Sequence, residues 1–402
     1  MGHIAQIKAA REAIAKIAHE TPLDYSQTFS DLAANDMYLK LENLQKTGSF
    51  KVRGAYNKIH SLQPKDKQKG VIAASAGNHA QGVAFAATQE NIASTIVMPE
   101  GAPLAKLQAT EAYGAEIVQH GSTFDEALER AIELHRETGA TFIHAFDDEK
   151  IIAGQGTIGL EIVEQLPEVD AIVCPIGGGG LISGIAKAVK ELKPSVKVYG
   201  VEAAACVSMG ASLKEGKPLK VRATSTIADG IAVKQPGRRT LDLVQKYVDD
   251  VFVVDDLEIS RTMLYLLERN KLLVEGSGAA ALAAMLYHKI PETGKKVVSI
   301  VSGGNVDILF ISRIIQHGLV EAGRFVTFTT LVNDKPGNLN RLLTIVAKHH
   351  ANVISIQHHR ITPRIIPGQT EIELALETKN DAHIAEVKHA LKEAGYTITK
   401  KI

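Results

Sequence analysis

Lys51 lies in Gly48-Ser49-Phe50-Lys51-Val52-Arg53-Gly54-Ala55, just inside the start of an expected helix for which Ser49 is the natural N-cap. A lone lysine is ordinarily a solvated surface charge. An amine whose pKa is depressed by burial or by positive neighbours is instead a nucleophile toward aldehydes and a base toward an acidic C–H. Three Gly-bearing strand ends elsewhere give Lys51 company. Ser75-Ala76-Gly77-Asn78-His79-Ala80-Gln81-Gly82 follows the apolar run 71–74 and opens an Ala-rich helix, so its free backbone NH groups can receive a carboxylate. Gly177-Gly178-Gly179-Gly180-Leu181 follows the apolar run 171–176, and four glycines in a row let backbone NH groups close around a phosphate. Ser302-Gly303-Gly304-Asn305 ends a third apolar strand, 297–301.

With these motifs the chain resembles the fold-type II pyridoxal phosphate enzymes, and most closely the threonine dehydratase (threonine ammonia-lyase) and serine racemase group. The resemblance also runs through Ala153-Gly154-Gln155-Gly156-Thr157 and Val274-Glu275-Gly276, in family order. It implies pyridoxal 5'-phosphate as cofactor, in a cleft between two parallel-sheet α/β domains. It further implies imine formation and Cα-proton removal by Lys51, with Phe50 beside the ring and the phosphate on Gly177, Gly178, Gly179, Gly180 and Leu181. Asn78 is expected at the ring hydroxyl and Ser302 at the pyridine nitrogen, where a hydroxyl makes a weaker electron sink than a carboxylate and favours β-elimination. Ser75, Ala76, Gly77, Asn78 and His79 are expected to take the substrate carboxylate. No residue of a matched motif offers itself as acid for the leaving hydroxyl, so the ring phosphate is the expected donor. The simpler readings are a helix N-cap for Ser302, a turn residue for Asn78 and a packing role for His79. Gln155 and Thr157 receive no chemistry from spacing.

Two departures separate the candidates within the group. Racemases carry a serine, the second base, at the position of Ala76, so elimination of L-threonine to 2-oxobutyrate and of L-serine to pyruvate is expected, with serine racemase or serine dehydratase as the alternative. Their divalent cation takes a glutamate and an aspartate six residues on; here Glu202 is followed by Ser208, and no metal is expected. A nucleotide-binding oxidoreductase lacks its GxGxxG with a following ribose acid, and a catalytically silent amino-acid sensor is opposed by the intact Lys51.

The elements that must position these residues follow from the rest of the chain. Its 402 residues exceed one ordinary core. Short apolar strands alternating with helices mean parallel sheets covered on both faces, with ligands at the strand C-terminal ends. The expected domains are 147–322 (large), which the resemblance implies residues 1–36 rejoin, 37–146 (small) and 324–402. Equal numbers of basic and acidic residues, 45 each, give no face for nucleic acid. Two cysteines, Cys174 and Cys206, form neither a disulfide framework nor a zinc site. With no signal peptide and no bilayer-length apolar run, the expected location is cytoplasmic.

From Arg324 onward the pattern reads βαββαβ: strand 325–332, turn 333–337, helix 338–350, strands 353–361 and 370–377, helix 381–394 and a strand near 396–399. That order is ferredoxin-like. With Asp-Lys-Pro-Gly after the first strand it resembles an ACT domain, an amino-acid-sensing module. The resemblance implies an effector, isoleucine or valine, near Asn333, Asp334, Gly337, Asn338 and Leu339, and a homo-oligomer, dimer or tetramer. The alternative is a packing domain without ligand.

Overall fold

In the computed structural model, which describes residues 3–360 and 365–400, the apolar runs become the strands of two largely parallel sheets. The first strands are β1 (Leu23–Tyr25) and β2 (Asp36–Leu41). Then β3 (Val71–Ala74), β4 (Ser94–Met98), β5 (Glu116–Gln119) and β6 (Thr141–Phe142) form an all-parallel sheet in the order β5-β4-β3-β6. Every residue of β3 is buried, as expected of a strand covered on both faces. Four later strands, β7 (Ala171–Pro175), β8 (Lys197–Ala203), β9 (Asp250–Val254) and β10 (Lys296–Val301), join the first two in the order β1-β2-β10-β7-β8-β9. Only β1 runs antiparallel there.

One expected boundary moves. Met37–Leu41 was placed with the 37–146 domain, yet β2 pairs in parallel with β10 along its whole length and so belongs to the six-stranded sheet. Met37, Leu39 and Leu41 are buried there. A short apolar strand fits either parallel sheet, and only the long-range ladder decides. Between β9 and β10 lie the helices Asp256–Asn270 and Gly276–Leu286.

The helix that carries Lys51, Lys51–His60, lies against Asn78–Gln89 and Glu149–Gln165. Close approach demands glycine at two contacts. A Cβ on Gly82 would sit 3.2 Å from the Lys51 carbonyl carbon, and one on Gly154 would meet the Arg53 carbonyl oxygen at 2.6 Å. Ser49 is not the cap the sequence led us to expect: Phe50 holds the N-cap position with no side-chain cap, and Ser49 makes an isolated bridge to Gly303.

The chain divides into two units, Met1–Asp307 and Ile308–Ile402. The break falls after Asp307 rather than after Ala322, because helix Ile308–Glu321 packs on the first strand of the second unit. That unit contains β11 (Phe325–Asn333), β12 (Asn352–His359), β13 (Gln369–Glu377) and β14 (Ile398–Lys400), antiparallel in the order β12-β13-β11-β14. Helices Asn338–Lys348 and Asp381–Glu393 complete the βαββαβ order. Its core gathers Phe328, Leu342, Val346, Leu374 and Leu391. Ile361, where the second strand was expected to end, lies outside the described residues.

Candidate active site

Four of the motifs are tied together by hydrogen bonds before any side-chain chemistry is considered. Phe50 N donates to Ser302 O (3.2 Å) and Gly304 N to Gly48 O (2.9 Å), so the turn before Lys51 is clipped to the end of β10. Glu275 N donates to Gly303 O at 3.1 Å. Asn305 Nδ2 donates to Thr47 O (2.7 Å) and to Asn78 Oδ1 (2.8 Å), and Asn78 Nδ2 donates to Glu275 Oε1 (2.7 Å).

These residues border a cavity of about 700 Å³, within the range of small-molecule sites. Phe50, Lys51, the Ser75–His79 turn, Gly177 to Leu181 and Ser302 all line it. The Lys51 amine donates to Ala145 O at 3.0 Å. Burial pushes its pKa down to about 8, against the opposing pull of Glu275, so about a tenth of it is unprotonated at pH 7, far more than for an ordinary lysine. Helix Asn78–Gln89 starts at the Ser75–His79 turn, as the sequence predicts, with no side-chain cap on its first NH groups. His79 is buried and bonds Ile143 O through Nε2 at 2.9 Å. Burial, reinforced by the Lys51 charge, pushes it down to about 3, so it stays neutral and serves packing.

Helix Gly180–Leu192 starts at the tetraglycine, with Gly179 left-handed at φ +91° and no side-chain cap. A Cβ on Gly180 would strike the Phe146 backbone, and one on Gly177 would meet Ile231 and Val233. The turn admits no side chain, which leaves its backbone as the cavity wall. Ser302 is buried and makes only a long contact, 3.4 Å, from Oγ to Ser277 O. It caps no helix, since the next one begins at Ile308. Ser277 Oγ, buried at the cavity wall, has no protein partner.

Gln155 and Thr157, left without a role by spacing, hold the lysine helix. Gln155 Oε1 accepts from Gly54 N at 3.2 Å, and Thr157 Oγ1 accepts from Arg53 Nη1 at 3.1 Å. Arg53 also donates from Nε and Nη2 to Glu42 (both 2.8 Å) and from Nη2 to Glu161 Oε2 (3.0 Å), while Lys40 pairs with Glu161 at 2.6 Å. All four charges are buried.

Sequence reasoning missed several cavity residues. Glu275 was recognised in a motif but given no role; burial, with the Asp229 charge adding to it, pushes its carboxyl up to about 7. Lys106 and Asp229 form an ion pair of 2.9 Å at the cavity edge, and Lys220 meets Asp125 at 3.0 Å. Charges scattered over the chain, Lys106 and Asp125 on helices and Asp229 on a turn, carry no local signal of this convergence. Glu202 accepts from Met209 N (2.7 Å) and Gly210 N (2.8 Å), with Ser208 at the start of the helix it caps.

Residues 14–303 match the family model described as "Pyridoxal-phosphate dependent enzyme". The chain belongs to that family. Among relatives of this pyridoxal-phosphate enzyme, an L-threonine ammonia-lyase of Thermotoga maritima is 49% identical over 98% of both chains. A catabolic L-threonine dehydratase (TdcB) of Escherichia coli K12 is 45% identical, covering 79% of this chain and 97% of its own. The solved structure of a processed threonine deaminase isoform from Solanum lycopersicum superposes with a TM-score of 0.74 at 39% identity, covering 78% of this chain and 92% of its own. The residues present fit the family's cofactor. The side-chain-free turn at a helix start suits a phosphate, the partly deprotonated Lys51 amine suits an aldehyde, and the unpartnered Ser277 hydroxyl and loosely held Ser302 hydroxyl leave polar capacity at the wall. Among the described residues no helix is long and apolar enough to cross a membrane.

Proposed function

We propose that this enzyme is an L-threonine ammonia-lyase, converting L-threonine to 2-oxobutyrate and ammonia, with L-serine to pyruvate as a secondary activity. Pyridoxal phosphate supplies the aldehyde and the electron sink. Lys51 would hold it covalently and, as a free amine, would take the Cα proton. The turn 177–180 with Leu181 would hold its phosphate, Phe50 would flank the ring, Ser302 would serve the pyridine nitrogen, and the second N–H of Asn78 would serve the ring oxygen. The NH groups of Ser75 to His79 would orient the substrate carboxylate, and after Cα deprotonation the β-hydroxyl would leave as water with a proton from the bound cofactor's phosphate. Hydrolysis of the resulting enamine, through its imine, returns that water and releases ammonia.

The observation that carries this reading is the reach of the likeness to an L-threonine ammonia-lyase, which spans both units of the chain. Ala76, with no proton to exchange, speaks against a second base and hence against the racemase alternative. The catalytically silent sensor is disfavoured by the depressed amine of Lys51 at the cavity. The deciding assay compares ammonia release from L-threonine and L-serine. Threonine turns over with the higher kcat/KM; silence with both, alongside turnover of O-acetylserine or phosphohomoserine with a second substrate, replaces the lyase by a synthase.

For the second unit the proposal is an ACT-like regulatory domain that pairs two subunits of a homo-oligomer and binds isoleucine or valine. The βαββαβ order supports it, as does the turn after β11, where Gly337 is left-handed and helix Asn338–Lys348 starts with no side-chain cap. Asn338 Nδ2 donates to Asn333 O at 2.9 Å and Arg360 Nε to Asp334 Oδ2 at 3.0 Å, so the candidate effector residues Asn333, Asp334, Gly337, Asn338 and Leu339 sit on an ordered turn.

A further inference from the structure

Glu275 is a buried cavity carboxyl that the proposed chemistry leaves idle. It precedes helix Gly276–Leu286, and its Oε1 accepts from Asn78 Nδ2 at 2.7 Å. At the other end of the Asn78 amide, Oδ1 accepts from Asn305 Nδ2 at 2.8 Å. One of the two Asn78 N–H bonds is therefore spent on Glu275, and the amide cannot flip without losing both contacts. Asn78 is also the first residue of the helix whose N-terminal turn, in the reading above, takes the substrate carboxylate. Glu275 thus stands one side chain away from where a second anion must sit.

We propose that Glu275 is a positioning residue that couples amino-acid affinity to its own protonation: as the neutral acid it braces Asn78, and as the anion it repels the incoming carboxylate. The proposal rests on the assignment of the Ser75–His79 turn as the carboxylate site. Charged groups act on Glu275 from three elements. Lys51, on the helix that bears it, favours the anion. Asp229, on the turn Asp229–Ile231, opposes it, while Lys106, on helix Leu104–Ala112, favours it but is spent on Asp229. The Asn78 amide and the Asn305 backbone NH also favour the anion, and burial outweighs these pulls, leaving the carboxyl near 7. Two anions this close inside a protein cavity repel more strongly than they do in bulk water.

The test is the affinity of the holoenzyme for L-2-aminobutyrate, which has no β-hydroxyl to lose, by equilibrium dialysis between pH 6 and 8. A single group near 7 makes wild-type binding about tenfold weaker at pH 8 than at pH 6. In Glu275→Gln, which keeps an acceptor for Asn78, the dependence falls to about twofold or less, and cofactor absorbance is retained. Calorimetry in two buffers of different ionisation heat provides a second readout: the gain in proton uptake from pH 6 to pH 8 is larger in the wild type than in Glu275→Gln by close to one proton, the contribution of the Lys51 amine being common to both. Equal gains in proton uptake in the two proteins, or an unchanged slope of affinity with pH in the Gln variant, overturns the proposal. Absence of binding at every pH overturns the assignment of the turn and the inference with it.

Discussion

A single methyl group at residue 76 separates elimination from racemisation in this account. Ala76→Ser places a hydroxyl at the turn opposite Lys51, so it adds measurable D-serine formation and solvent-deuterium exchange at the Cα of serine, at a small fraction of the elimination rate. Exchange and D-serine levels equal to the parent's would show that residue 76 does not decide the outcome. Glu275 has a consequence for stability too. Its folded pKa of about 7 exceeds the ordinary 4.5, so the folded state binds the extra proton and the parent loses stability as pH rises from about 4.5 through 7. The loss has an upper bound of about 3 kcal/mol. Urea unfolding of the cofactor-free protein at pH 5 and 8 reads this, and Glu275→Gln removes the difference. That Lys51, Asn78, the four glycines and Ser302 line one cavity was legible, because Asn78 and the glycines sit in strand-turn-helix signatures, Lys51 at a helix start and Ser302 at a strand end. Glu275 was legible as part of a motif but not as chemistry, because its hydrogen bond to Asn78 spans 197 residues.

At the scale of elements, the lysine helix is fixed by glycine contacts and by the buried Lys40, Glu42, Arg53 and Glu161 cluster. Arg53→Met leaves Glu42 without its cation and Glu161 with Lys40 alone. Breaking a buried pair from one side costs about 3–5 kcal/mol, so a loss of that order in urea unfolding is expected, together with weaker cofactor retention. A loss below about 1 kcal/mol would contradict the structural weight given to the cluster. The alternating strands and helices were readable from apolar periodicity. Sheet membership of β2 was not, since the same pattern serves either parallel sheet and only pairing with β10 decides. Nor was the failed Ser49 cap, because Ser49 is drawn into a bridge with Gly303, far away in sequence.

For the whole molecule, all motifs of the candidate cofactor site lie in the unit Met1–Asp307. The boundary was misplaced in the sequence because helix Ile308–Glu321 looks like one more catalytic-region helix until its packing on β11 is seen. Threonine saturation curves for the full chain, with and without isoleucine or valine, are expected to shift by about 5- to 150-fold in apparent affinity, the span of 1–3 kcal/mol of coupling. The shift disappears in the chain shortened to Met1–Asp307; curves unmoved by either amino acid reduce the second unit to an assembly domain. The central claim is that Lys51 is both the cofactor's anchor and the base. It is tested by feeding L-threonine to the full-length enzyme and to Lys51→Ala, each saturated with pyridoxal phosphate, and counting products. The wild type gives one 2-oxobutyrate and one ammonia per threonine. The variant loses at least the roughly 10²–10⁴-fold that a positioned base supplies, and borohydride no longer fixes the cofactor to the chain. Keto-acid production by Lys51→Ala near the wild-type rate, with no amine added, would contradict the account.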